Sequence, residues 1–363
     1  MLSKEERLRY DRHLLLPEFG EEAQLKLKEG AVLVIGAGGL GCPVLQYLTA
    51  AGVGHIGIID HDKVDISNLQ RQVLYTTTDI GRSKAVAAAQ KLEAMNPLVR
   101  FTIHEEKLDA SNALHIFEQY DVIVDCTDNF PTRYLANDAC VLSGKPLVYG
   151  AIFKFEGQVS VFNYQEGPTY RCLFPTPPEA GSVPSCSEIG VIGVLPGIVG
   201  TLQANETLKI LTGLGEVLGG KLLVLNALSM AFNSFNYQKN PEAANIKELI
   251  DYEFFCGLKN KNTMDEITVE EFDKRKGNDN FTLIDVREVH EHKAGNVGGM
   301  NIPLSLLPLR HHEIPTDKDV ILYCQRGGRS MQALQWLKKN SNLNTNILSI
   351  QGGYEALTAD NNS

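Results

Sequence analysis

The run Gly36-Ala37-Gly38-Gly39-Leu40-Gly41 constrains the fold of this chain more than any other stretch. It follows a short apolar run, 32–35, and precedes helix-compatible residues, 42–51, that stop at Gly52, so it reads as the turn between a strand and a helix. A G-x-G-x-x-G turn there leaves backbone N–H groups at the positive end of the helix, and its glycines let phosphates approach them. A second strand, 56–60, ends at Asp60, about 20 residues beyond the turn, where a carboxylate can accept hydrogen bonds from ribose hydroxyls. A helical stretch over 83–95 and an apolar strand over 122–124, ending in Asp125-Cys126-Thr127-Asp128, continue the alternation. Strands alternating with helices predict an α/β fold with a mostly parallel sheet and right-handed crossovers, carrying a nucleotide site.

From residue 146 the texture changes to β-type runs, 158–162 and 222–225, with a proline-rich stretch, 175–178, and a glycine-spaced apolar segment, 190–200, between them. These are expected to extend the first sheet, giving a first domain of residues 1–240. A polar stretch over 241–262 reads as a linker. Residues 263–363 then read as a small α/β domain with strands at 282–286, 320–323 and 347–350 and a helix at 330–339. Two domains suit 363 residues at roughly 100 to 200 residues per domain.

Acidic residues outnumber basic ones, 44 to 34, which disfavours nucleic acid and anionic membranes as partners. The charged N-terminus lacks the apolar core of a signal peptide, and no apolar run approaches the roughly 20 residues of a membrane span. A cytoplasmic protein is expected. Its seven cysteines are odd in number and widely spaced, which predicts reduced thiols and leaves room for one or two reactive ones.

The glycine turn alone would favour a nicotinamide or flavin dinucleotide, and an oxidoreductase with an appended regulatory domain is the alternative to be decided. Ser67-Asn68-Leu69-Gln70-Arg71 and Lys84 put two cations and several amides after the second strand, and Asp128-Asn129 lies at the end of a later one. Singly, Arg71 and Lys84 read as solvated charges and Asp128 as a helix cap. Grouped beside one glycine turn, they suit a triphosphate with magnesium, because nucleotidyl transfer needs charge neutralised on the leaving phosphates. Hydride transfer needs neither.

Arg9-Tyr10-Asp11-Arg12, the glycine turn, Ile59-Asp60, 67–71, 81–84 and 125–129 resemble, in this order, the MoeB/ThiF adenylyltransferases, relatives of the ubiquitin-activating enzymes. The resemblance covers roughly the first two thirds of the chain. It implies a Rossmann-like ATP-binding adenylation domain, with Gly36, Gly38, Gly39 and Gly41 as the phosphate cradle. It further implies ATP contacts at Asp60, Ser67, Asn68, Leu69, Gln70, Arg71, Lys84, Asp128 and Asn129, with Asp128 near magnesium and important for adenylation. A homodimer is implied as well, with Arg12 reaching the partner subunit's ATP phosphates in trans. The chemistry follows: a glycine carboxylate is a poor electrophile, attack on the α-phosphate makes it an acyl adenylate, and a sulfur nucleophile can then displace AMP. Arg71 and Lys84 would stabilise charge developing on the phosphates.

Many MoeB-like proteins hold a structural zinc with two C-x-x-C pairs, and this sequence departs from them. Thr169-Tyr170-Arg171-Cys172 keeps one cysteine of the first pair, and Glu242-Ala243-Ala244-Asn245 has none for the second, so no zinc is expected. Cys186 sits where similar proteins carry a cysteine in a mobile crossover loop, and reads equally as a thioester-forming residue or an ordinary loop cysteine.

Cys324 ends an apolar strand and opens Cys324-Gln325-Arg326-Gly327-Gly328-Arg329-Ser330 before a helix. Backbone N–H groups of such a loop converge on the sulfur and, with Arg326, Arg329 and the helix N-terminus, are expected to favour a thiolate or persulfide anion. A cysteine phosphatase would place its arginine one residue later. Leu283-Ile284-Asp285-Val286-Arg287, Asn301-Ile302-Pro303-Leu304, the Cys324 loop and Gly352-Gly353-Tyr354 resemble a rhodanese domain, although Gly295-Asn296-Val297-Gly298-Gly299 departs from its usual histidine- and proline-containing stretch. The resemblance implies a persulfide on Cys324, charged by a persulfide sulfur donor, and transfer to a MoaD- or ThiS-like sulfur carrier as a thiocarboxylate. A rhodanese-like domain that only binds the donor is the alternative.

Overall fold

The apolar run before the glycine turn forms β1, Ala31–Ile35, whose last four residues are buried. The computed structural model describes residues 1–178, 190–258, 265–276, 281–341 and 345–359. β1 pairs in parallel with β2, His55–Ile59, on one side and with β4, Val122–Asp125, on the other. β3, Arg100–His104, continues beyond β2, and β5, Leu147–Phe153, beyond β4, all in parallel. The later β-type runs become β6, Glu156–Phe162, β7, Lys221–Asn226, and β8, Ala231–Asn236, which add antiparallel strands in the order β3-β2-β1-β4-β5-β6-β7-β8. The sheet is therefore mostly parallel and extended by later strands, as the sequence predicts.

The strand order reverses between β1 and β4, because β2 and β3 lie to one side and β4 and β5 to the other. Such a switch point opens a crevice at the carboxyl ends of the strands. The register aligns Ile35 with Ile59 and with Asp125, so the turn after β1, Asp60 after β2 and the loop after β4 emerge at one level.

The helix Gly41–Ala51 ends at Gly52 in a left-handed conformation. Lys84–Met95 is capped by the Ser83 hydroxyl, and Phe130–Ser143 by the Asn129 side chain, which accepts the Thr132 N–H at 3.0 Å. The cap is thus Asn129, and its neighbour Asp128 is left exposed. The glycine-spaced segment contributes to a 19-residue helix, Val194–Thr212. It packs on Gly41–Ala51, on β5 and on β6, and its Pro196 and Gly200 lie against Gly39 and the Leu40 carbonyl.

The described residues fall into two compact units, the first covering Met1–Pro177 and continuing to Phe255, the second taking Pro178 and the residues from Cys256 onward. Within the stretch read as linker, Tyr252–Phe255 is a helical turn of the first unit, where the Tyr252 hydroxyl donates to Asp138 at 2.8 Å. Asp138 also takes two 2.7 Å bonds from Arg171, whose guanidinium lies 4.6 Å from the Phe255 ring centre.

The second unit holds a parallel sheet in the order β11-β10-β12-β13-β9, made of β9, Glu266–Ile267, β10, Phe281–Asp285, β11, Met300–Asn301, β12, Asp319–Tyr323, and β13, Ile347–Ile350. The helix Gly328–Asn340 follows β12 and buries Ala333, Leu334 and Leu337 against Ile284, Val320 and Leu322.

Candidate functional site

The glycine turn is tied to the strand beside it. Gly36 takes φ +91° and donates its N–H to the Ile59 carbonyl at 2.8 Å; a side chain there would be strained and would meet the Cys126 carbonyl. A Cβ on Gly41 would fall 2.0 Å from the Gly36 carbonyl oxygen, so the tight return of the chain requires glycine. The Ala37 N–H donates to one oxygen of Asp60 and the Asp62 N–H to the other, each at 2.8 Å. Burial pushes the Asp60 carboxyl above its usual range, against the pull of Lys84 and of these two N–H groups. The buried Tyr75 hydroxyl lies 2.8 Å from the Ala37 carbonyl and 3.1 Å from that of Lys84, joining the turn to the start of the Lys84–Met95 helix.

The residues after β2 gather on the same side. Asp65 caps the short turn Ile66–Asn68, accepting from the Ser67 N–H at 2.8 Å, and Arg71 donates back to the Ser67 carbonyl at 3.0 Å. The Arg71 side chain stands 3.6 Å from where a Gly39 side chain would begin, and Leu69 packs into the core below. Lys84 is buried, with its ammonium 3.0 Å from Asp62. Asp62 also groups with His61 and Asp60 as a cluster of ligand-type atoms within 4.8 Å of one another. The role of Asp62 escaped sequence reading, because one more carboxylate beside Asp60 carries no spacing signal.

After β4, Asp125 is fully buried, and one of its oxygens accepts the Thr127 N–H at 2.9 Å and hydroxyl at 2.6 Å. Arg133 donates to the Thr127 carbonyl at 3.0 Å, and Gln203 to the Asp125 carbonyl at 2.7 Å. Asp125, Arg133 and Gln203 thus fix the turn that ends at the exposed Asp128 and Asn129. Asp125 was legible only as part of the 125–129 stretch, without this role, and Arg133 and Gln203 were not predicted; Gln203 lies 78 residues from Asp125, beyond any local signal.

Arg12 lies on the turn Asp11–Leu14 with 89% of its side chain exposed, 3.5 Å from Asp11. Cys186 lies outside the described residues. The Cys172 sulfur accepts the Thr169 and Asn240 N–H groups, each at 3.3 Å. Hydrogen bonds through one thiol therefore join the Thr169–Cys172 turn to the segment at Asn240.

In the second unit, Cys324 is 2% exposed at the end of β12. Its sulfur receives the Gly327 N–H at 3.1 Å and the Ser330 hydroxyl at 3.7 Å, and Ser330 contacts the Ser349 hydroxyl at 2.8 Å. The loop's two arginines, expected to support the sulfur anion, are both engaged by carboxylates: Arg329 by Glu291 at 2.6 and 2.7 Å, Arg326 by Glu355 at 2.8 and 2.9 Å. Behind the loop, burial raises the Asp285 carboxyl, but hydrogen bonds from Arg287 and His292 hold it below its usual range. Arg287 reaches Gln325 at 3.3 Å and so braces the loop from beneath.

The ThiF family description matches residues 10–245, and the rhodanese-like domain description matches residues 268–360. The chain is 46% identical to the probable adenylyltransferase/sulfurtransferase MoeZ of Mycobacterium tuberculosis, over 98% of this chain and 93% of that protein. It is 53% identical to the sulfur carrier protein adenylyltransferase of Thermus thermophilus, over 71% of this chain and 99% of that protein. Among solved structures, E. coli MccB bound to MccA-N7isoASN superposes with a TM-score of 0.59 at 22% identity, covering 66% of this chain and 74% of that one, a likeness of fold. Nothing in this grouping favours a nicotinamide oxidoreductase. The glycine turn, the cations after β2 and the Asp128 turn all fall within residues 10–245, and the Cys324 loop within 268–360, so the chain belongs to the ThiF family and carries a rhodanese-like domain behind it.

Proposed function

We propose that this chain uses ATP to adenylate the C-terminal glycine carboxylate of a ubiquitin-like sulfur-carrier protein. A persulfide on Cys324 then converts the acyl adenylate to a thiocarboxylate. The observation that carries this reading is the pairing in one chain of a phosphate-cradling turn after β1, flanked by the β2 segment that leads to Arg71 and Lys84 and by the β4 segment that leads to Asp128, and a loop that aims the Gly327 N–H at the Cys324 sulfur. MoeZ of Mycobacterium tuberculosis joins the same two activities by name, and the Thermus thermophilus relative is a sulfur carrier protein adenylyltransferase.

In this reading Gly36, Gly38, Gly39 and Gly41 let the phosphates approach the backbone, Asp60 receives the ribose, and Ser67 to Arg71 with Lys84 and Asn129 surround the triphosphate. The carrier's carboxylate oxygen attacks the α-phosphate and pyrophosphate leaves, with Arg71 and Lys84 lowering the cost of charge on the leaving group. Asp128 would hold magnesium; its exposed carboxylate just beyond β4, the strand paired with the one that leads into the glycine turn, fits a metal–triphosphate. The metal supplies charge neutralisation and orientation. In the second step the terminal persulfide sulfur displaces AMP to give an acyl disulfide; one thiol then attacks the Cys324 sulfur and releases the thiocarboxylate, and a second thiol reduces the resulting mixed disulfide, freeing Cys324 and leaving the two thiols as a disulfide.

The proposal extends to a homodimer in which Arg12, largely exposed on its N-terminal turn, reaches the partner's phosphates. It extends also to a cytoplasmic setting, supported by six described cysteines, none of which is joined to another in a disulfide. No helix among the described residues is long and apolar enough to cross a membrane.

Mass spectrometry of a candidate carrier, incubated with the chain, ATP and a sulfur donor, tests the order of events. The wild type is expected to yield acyl adenylate and then thiocarboxylate. Asp128→Ala should abolish carrier-dependent ATP–pyrophosphate exchange, whereas Cys324→Ser should keep exchange and lose thiocarboxylate. Full exchange by Asp128→Ala refutes the adenylation site.

A further inference from the structure

We infer that Glu291 is a specificity-determining residue of the Cys324 site: by holding Arg329 in a two-point pair, it withholds positive charge from small inorganic sulfur donors and so disfavours oxyanions such as thiosulfate. The inference rests on the reading of Cys324 as the sulfur-bearing residue.

Arg329 is the last residue of the Cys324 loop with a charged side chain, and both its terminal nitrogens meet Glu291, at 2.6 and 2.7 Å. Such fork-to-fork pairing satisfies the guanidinium in the same geometry that it would use toward an oxyanion. Glu291 is itself fixed, because one of its oxygens also accepts the Glu288 N–H at 2.9 Å, in the capping box of the short helix Val289–Ala294. The Arg329 guanidinium draws the Glu291 carboxyl down to about 2, so it is ionised throughout the neutral range.

The second arginine of the loop, Arg326, is balanced by Glu355, but that pair is far more open, with 78% of the Arg326 side chain exposed against 31% for Arg329. Exposed pairs are easily exchanged for water or a ligand, which leaves the less exposed Glu291 pair as the firmer control. Both arginines of the loop are thus offset by carboxylates, and the Cys324 sulfur itself is held by neutral donors, the Gly327 N–H and the Ser330 hydroxyl. A doubly charged inorganic donor finds little net attraction there. A persulfide presented on a protein surface needs none, because its docking is carried by the surrounding surface.

The probe reaction is balanced without an outside oxidant. The Cys324 thiolate attacks the outer sulfur of thiosulfate, the S–S bond breaks, and sulfite leaves with the electron pair. Cyanide then takes the outer sulfur of the persulfide as thiocyanate, and the thiolate returns. Glu291→Gln keeps an oxygen to accept the Glu288 N–H, so the cap survives, but it removes the charge that neutralises Arg329.

The full chain, assayed with thiosulfate and cyanide, is expected to show a KM for thiosulfate lowered about fivefold or more in Glu291→Gln, with a smaller change in kcat. Adding Arg329→Gln to that variant should cancel the gain, and raising salt should erode it. An unchanged or higher KM, no turnover by Glu291→Gln, or a gain that persists without Arg329 overturns the inference. Turnover that persists in a Cys324→Ser, Glu291→Gln double variant instead overturns the reading of Cys324 as the sulfur-bearing residue, and the inference falls with it.

Discussion

Asp60 illustrates how one side chain can serve the fold and the site together. Its two oxygens each accept a backbone N–H, from Ala37 and from Asp62, so the carboxylate that spacing assigns to a ribose also fixes the glycine turn. Glu291 is the counterpart in the second unit, and its pairing gives a prediction in pH. Its folded-state carboxyl lies near 2 against an ordinary 4.5, depressed chiefly by Arg329, so the folded state binds fewer protons than the unfolded one. The stability from this pair is complete above about pH 4.5 and is lost as pH falls toward 2. Urea midpoints should therefore show a wild-type advantage over Glu291→Gln that narrows through that window; an advantage that stays constant would count against the pairing. Glu291 had no sequence signal, because a carboxylate 38 residues before its arginine is joined to it only by the fold.

At the scale of elements, the helix Val194–Thr212 connects most parts of the first site. Pro196 and Gly200 touch the glycine turn, and Gln203 reaches past β5 to the Asp125 carbonyl. Gln203 is completely buried, so Gln203→Leu should leave that carbonyl without its donor at a cost of about 1–3 kcal/mol. It should also loosen the turn before Asp128 and lower ATP–pyrophosphate exchange, whereas unchanged exchange with unchanged denaturant midpoints would remove the helix from this role. The strands flanking the glycine turn, the helix Lys84–Met95 and the antiparallel runs of β6 and β7 were legible because their apolar periods or bounding residues are local. The long helix was legible only as a glycine-spaced segment, since apolar residues on several faces, packed on β5, β6 and a neighbouring helix, leave no single stripe to read. β3 and β8 were missed for the opposite reason: β3 is only partly buried, and five of the six residues of β8 are exposed.

Across the whole molecule, the two activities rest on separate cores. One buried cluster runs from Leu27 to Leu225 around the first sheet, and others, built on Ile284 with Leu334 and on Phe272 with Tyr323, belong to the second. Units with separate cores of this kind unfold as separate cooperative transitions when little apolar surface joins them. Calorimetry of the full chain should accordingly resolve two transitions, with Gln203→Leu lowering only the first unit's and Glu291→Gln only the second's. A single transition shifted equally by both variants would mean that the units fold as one. The first unit's transition carries a further expectation, because the Thr169–Cys172 turn and Asn240 are joined through hydrogen bonds to the Cys172 sulfur. One thiol cannot supply the four ligands of a structural zinc site, so a chelator should leave that transition in place. Cys172→Ala should lower it, since it deletes the acceptor of two backbone N–H groups. A stoichiometric zinc in the purified chain, or a transition that chelation abolishes, would require ligands other than those that the sequence offers beside Cys172.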